Sequence, residues 1–148
     1  MKNKLKNGAG CFFAITLFLL TSSFTYRNDK DANEKAARDY YRAYEQKDWN
    51  MLKSILSPGF HFSSPNDKQP IDLETYHQRC WPNCQNTKKF DLEKVMMGDN
   101  EAFVTYNGYT NDGRVFRNTE YFKFEDGKIT ENDCYFGPGV SFPNSGKK

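Results

Sequence analysis

Phe116-Arg-Asn-Thr-Glu-Tyr-Phe-Lys-Phe-Glu-Asp-Gly-Lys-Ile-Thr-Glu131 alternates apolar and polar residues on either side of an Asp-Gly pair. That is the pattern of two antiparallel strands joined by a tight turn. Gly98-Asp-Asn100 and Asn111-Asp-Gly113 repeat the turn signal upstream and predict a four-strand meander: Phe90–Met97, Ala102–Thr110, Arg114–Phe124 and Lys128–Phe136. Period two places Phe116, Asn118, Glu120, Phe122 and Phe124 on one face of the third strand, and Arg117, Thr119, Tyr121 and Lys123 on the other.

Before Lys88 the period is helical. Ala37, Tyr40, Tyr41 and Tyr44 predict one helix from about Asp31 to Gln46 with a tyrosine-rich buried face. Asp48 caps a second, whose stripe of Trp49, Leu52, Ile55 and Leu56 stops at Pro58-Gly59. Phe60–Ser63 reads as a short strand and Pro65-Asn-Asp as a loop. A third helix starts at Asp72, carries Leu73, Tyr76, His77, Cys80 and Trp81 on one side, and is broken by Pro82. Helix, helix, strand, helix and meander make an α+β domain: a curved antiparallel sheet with N-terminal helices packed on one face. Residues 26–140 form this domain and residues 141–148 a flexible tail.

The chain has 148 residues, 37% hydrophobic and 27% charged, with 13 Phe, 9 Tyr and 2 Trp, enough bulky groups for one compact core. Its net charge of +2 comes from Lys2, Lys4 and Lys6. Without them 18 basic face 19 acidic residues, so no basic field supports nucleic-acid binding. Those lysines precede an apolar run, Cys11–Leu20, and the small polar residues Thr21, Ser22 and Ser23. This is the layout of a signal peptide over residues 1–25, cleaved after Ser23 or Thr25. The run is half the roughly 20 residues of a membrane span, so no stable anchor is expected after cleavage and the domain is exported, periplasmic or secreted.

Export leaves Cys80, Cys84 and Cys134 where disulfides persist. Either they are buried free thiols, or one disulfide links Cys134 to Cys80 or Cys84. The C-x3-C spacing of Cys80 and Cys84 suits neither a redox loop nor a zinc knuckle, so no metal and no cofactor is expected.

This element order, with Ala37-Arg-Asp-Tyr-Tyr-Arg-Ala-Tyr-Glu-Gln-Lys-Asp-Trp49 and the motif Phe-x-Phe-x-Asp-Gly-Lys-Ile followed by Tyr135-Phe136-Gly137, resembles the SnoaL-like branch of the nuclear transport factor 2-like superfamily. The resemblance spans about Asp31 to Val140. It implies a bent sheet wrapped around a helix, a cone open at one end to a pocket. The scaffold hosts isomerases, cyclases, dehydratases and binding proteins, so it does not fix the function. Against ketosteroid isomerase, the resemblance places the oxyanion tyrosine on Tyr40, the oxyanion acid on Glu120 and the general base on Ser64. A serine hydroxyl cannot do that last job unaided near neutral pH.

A carboxyl among phenylalanines is costly to bury unless paired or neutral. Glu120 therefore lines a pocket, pairs with a structural partner, or sits on a face that is not the inner one. The resemblance adds Asn132, Cys134 and Phe136 to the inner face of the last strand. The expected ligand contacts are Tyr40, Ser64, Tyr76, Trp81, Asn118, Glu120, Asn132 and Phe136. Candidates for catalysis are Tyr40, Glu120 and His77, each with a plain packing alternative. Three functions remain open: binding of a small, partly apolar molecule; isomerase-like or dehydratase-like acid/base catalysis with His77 or another carboxylate as base; and a non-catalytic homodimeric interaction module. Relatives' habits imply a homodimer through the open sheet face.

Overall fold

The computed structural model describes residues 12–136, with side chains from residue 29 onward. The expected tail and the first lysines lie outside those residues. Helix α1 spans Phe12–Gln46, beginning well before the expected Asp31, since neither Gly nor Pro interrupts the sequence from Phe12 to Gln46. Ser23 and Thr25 lie within this one helix. No helix among the described residues is long and apolar enough to cross a membrane.

From Asn33 on, α1 buries Asn33, Ala36, Ala37, Tyr40, Tyr41 and Tyr44, one stripe at three-to-four spacing. It ends at Lys47, whose φ of 58° turns the chain without a glycine. The Lys47 ammonium donates to the Thr87 carbonyl and steadies that turn. Asp48 then caps α2 (Trp49–Ile55), accepting from the Met51 amide at 2.9 Å.

Leu56 leaves the helical stripe to open β1 (Leu56–Ser63), where it pairs with Ile129. A two-residue strand, β2 (Ile71–Asp72), precedes α3 (Leu73–Arg79). Pro82, expected to end that helix, instead stands at the start of a 3-10 segment, Trp81–Asn86. The meander follows as β3 (Thr87–Met97), β4 (Glu101–Thr110), β5 (Val115–Glu125) and β6 (Lys128–Tyr135).

The six strands lie in the order β2-β1-β6-β5-β4-β3. All pairs are antiparallel except β1 with β6, so the sheet is mixed. Register breaks on β1, β3 and between β5 and β6 bend it around α1. The register sets the inner face: Val104, Glu120 and Cys134 are abreast, as are Tyr106 and Asn118, and Phe122, Asn132 and Phe62. Phe122 and Phe124 are buried as expected, whereas Phe116 is half exposed at the sheet's end. A Cβ on Gly108, its partner across the ladder, would stand 2.2 Å from the Phe116 ring. Phe116 therefore lies across bare backbone.

Candidate functional site

The cone formed by the bent sheet, α1 and α3 leaves a cavity of about 320 Å³. Its inner wall is mostly tyrosine, because α1 presents Tyr40, Tyr41 and Tyr44 on one face and α3 adds Tyr76. Four phenols and a carboxyl buried together require partners, and they find them in two networks.

In the first, the Tyr76 hydroxyl lies 2.5 Å from that of Tyr40 and 2.6 Å from that of Tyr44. Tyr40 donates to Asn132 Oδ1 at 3.2 Å, and Asn132 Nδ2 to the Tyr121 carbonyl at 3.3 Å. A single direction, Tyr44 to Tyr76 to Tyr40 to Asn132, lets each hydroxyl donate once. Burial raises all three phenol pKa values, so the chain is neutral.

The second network surrounds Glu120, which is 5% exposed. Tyr41 donates to its Oε2 at 2.8 Å and Tyr106 to its Oε1 at 3.0 Å. Asn118 Nδ2 reaches the Tyr106 hydroxyl at 3.4 Å and Cys134 Sγ at 3.8 Å. Burial raises the Glu120 pKa, and the hydrogen bonds from Tyr41 and Tyr106 pull against that rise without cancelling it. The Cys134 thiol is pushed up by burial and by its neighbour Glu120.

The mouth differs in character. Asn66, Arg79 and Asn83 are exposed and line it, with Ser64 and Asp67 just inside. Ser64 Oγ donates to Asp67 Oδ2 at 2.6 Å, and Arg79 Nη2 to Asp67 Oδ1 at 3.0 Å.

Of the residues singled out from sequence, Tyr40, Ser64, Tyr76, Asn118, Glu120 and Phe136 line this cavity. Asn132 is fully buried behind Tyr40. Trp81 also stands behind the wall, edge-on to Tyr44 at 5.0 Å. Tyr40 does not meet Glu120; the adjacent Tyr41 does. His77 is elsewhere: with Tyr76 turned inward, the next position on α3 faces out, and its ring stacks on Trp49 at 3.9 Å beside a surface groove. It therefore offers no base to the cavity. Cys80, Cys84 and Cys134 are free thiols, Cys84 and Cys134 buried as in the first alternative and Cys80 only half-buried, and desolvation with nearby Asp67 raises Cys80 to about 11. Among the described residues no group of His, Cys, Asp and Glu is arranged to hold a metal.

Sequence reasoning missed Tyr106, Asp67 and Arg79. The Asn111-Asp-Gly113 turn was the signal for Tyr106, because a tight hairpin there sets it opposite Asn118.

The profile of the SnoaL-like domain family matches residues 37–132, which contain the tyrosine chain through Asn132 and Glu120 with its two phenol donors. The chain belongs to the SnoaL-like domain family. Solved structures similar to this SnoaL-like domain share its fold at low identity. A proposed ketosteroid isomerase from Kribbella flavida DSM 17836 is 14% identical, with TM-score 0.64 over 78% of this chain and 84% of its own. A proposed SnoaL-like polyketide cyclase from Jannaschia sp. CCS1 is 14% identical, with TM-score 0.58 over 71% and 85%. An NTF2-like protein of unknown function from Cytophaga hutchinsonii ATCC 33406 is 20% identical, with TM-score 0.59 over 72% and 90%. No curated protein matches this SnoaL-like domain in sequence.

Proposed function

We propose that this SnoaL-like domain is an exported binding protein for a small, partly apolar molecule that enters the cavity with a hydrogen-bond-accepting oxygen innermost. The observation carrying this reading is Glu120, a buried carboxyl with two phenols already donating to it. Protonated, it can donate one O–H, and because Glu120 lines the cavity an acceptor entering there can take that bond in place of its other hydrogen-bonding neighbours, Asn132 and Cys134. The cavity volume of about 320 Å³ is at the low end of the ~300–1,000 Å³ typical of small-molecule sites. Thermal-shift screening with ring compounds carrying a ketone or phenol tests this. Some should raise Tm, and Asn118→Trp, which fills the cavity from its wall, should abolish the shift. A library that moves neither protein overturns the reading.

Acid/base catalysis is the second reading, supported by the raised pKa of Glu120. If a bound compound is turned over, Glu120→Gln should lower kcat at least about tenfold; an unchanged rate removes Glu120 from the chemistry. Two further parts of the proposal concern processing and assembly. The leader through Ser23 or Thr25 is removed on export, which intact-mass measurement of the secreted protein would reveal. The domain also pairs with a second copy through the outer sheet face, where Met96 and Phe103 stand exposed.

A further inference from the structure

We propose that the ligand is an amphiphile with an acidic group at its outer end, seated on Arg79 while its neutral body occupies the tyrosine-lined interior. The inference rests on the binding reading above and follows from how charge is distributed along the cavity. The inner wall is neutral phenol and a carboxyl whose pKa burial raises, and among the described residues it holds no cation. A negative ligand charge at that depth would find no cation beside it and would be expensive to desolvate. The mouth is different, because Arg79 is the one cationic residue lining the cavity among the described residues.

Arg79 is held over the opening yet remains available. Asp67, whose side chain is 6% exposed, grips it through a single contact, Nη2 to Oδ1 at 3.0 Å. The other oxygen of Asp67 accepts from Ser64 Oγ, and the Asp67 amide bonds the Ser64 carbonyl at 3.0 Å, so the carboxylate is fixed from behind. The Arg79 side chain is 56% exposed, and most of its five N–H donors are free for an oxyanion. Asn66 and Asn83 flank it with neutral amides, which tolerate a carboxylate or sulfonate without repelling it. The solvent-facing charge at the mouth is therefore the guanidinium, and a negative group there meets its partner without leaving water entirely.

Two dyes of the same three-ring body separate the charge from the cavity: 1-anilinonaphthalene-8-sulfonate and its uncharged counterpart N-phenyl-1-naphthylamine. Fluorescence titration should show both binding and each displacing the other. Arg79→Gln should weaken the sulfonate about five- to tenfold, between a screened surface pair and a charged hydrogen bond. The same change should leave the uncharged dye within about twofold. Arg79→Lys should keep most of the sulfonate affinity, and added salt should weaken only the sulfonate. Equal loss of both dyes, no loss of either, or failure of the two to compete overturns the assignment of Arg79 while the cavity reading stands. If neither dye binds, the cavity reading falls and this inference with it.

Discussion

Burial raises the Glu120 pKa, and the sign of its effect on stability follows. Between the unfolded value, about 4.3 for a glutamate, and the higher folded value, the native chain holds a proton that the unfolded chain has released. Stability therefore falls as pH rises through that window. In Glu120→Gln the group cannot ionise, so urea midpoints of the variant should fall less than wild type over the same pH range; parallel curves would show that Glu120 is not held protonated. The tyrosine chain gives a second expectation. Tyr76 bonds both Tyr40 and Tyr44 at 2.5 and 2.6 Å, whereas Tyr44 has its one short hydroxyl bond to Tyr76. Tyr76→Phe should cost about 1–3 kcal/mol by orphaning buried hydroxyls, and Tyr44→Phe about 1 kcal/mol or less; equal costs by chemical denaturation would refute the directed chain. Glu120 was legible in the sequence because a carboxyl among phenylalanines in a period-two strand has few places to go. Its partner was not: Tyr40 and Tyr41 are neighbours on one helix, and only the packed sheet decides which of the two reaches β5.

At the scale of elements, the meander was readable because each hairpin carries its own turn. Asp126 and Gly127 have φ of 50° and 70°, the pair of left-handed residues that a two-residue hairpin turn requires. A Cβ at Gly127 meets only Ala32, at an ordinary 3.7 Å, so Gly127→Ala tests backbone alone. It should cost about 1 kcal/mol, while Asp126→Gly should be neutral or stabilising; a free substitution at Gly127, measured by thermal unfolding, would mean that the turn relaxes to another type. Elements fixed by distant contacts were the ones misread. Leu56 fits both the stripe of α2 and the start of β1, and its pairing with Ile129 across 73 residues of chain selects the strand. The same parallel pairing makes the sheet mixed, a feature no local pattern encodes. His77 stayed open between a catalytic and a packing role because a seven-residue helix has too few turns for its stripe to separate two adjacent positions.

For the molecule as a whole, the two faces of the sheet have different occupations. The concave face holds α1 and the cavity. The convex face brings Met96, Phe103 and Tyr121 abreast across β3, β4 and β5, with Phe103 and Tyr121 rings 5.1 Å apart. Tyr135 joins them from β6, opposite Thr119. Met96 is 67%, Tyr135 53% and Phe103 45% exposed, and a run of large apolar groups on one solvated sheet face is the kind of patch that associates. The surrounding Lys94, Arg117 and Lys123 against Glu93, Glu131 and Asp133 give both signs of charge, which suits a two-fold contact in which each patch meets its own copy. Placing a charge at the patch centre should break such a contact with little effect on the fold, because Phe103 is outside the core. Phe103→Lys is therefore expected to convert a dimer to a monomer in sedimentation velocity, with unfolding free energy changed by about 1 kcal/mol or less. A wild-type monomer at micromolar concentration, or a variant that stays dimeric, removes the pairing. Because the cavity opens from the concave side, pairing through the convex face would leave Arg79 facing solvent in both copies, so dye binding per chain should be the same in wild type and in Phe103→Lys.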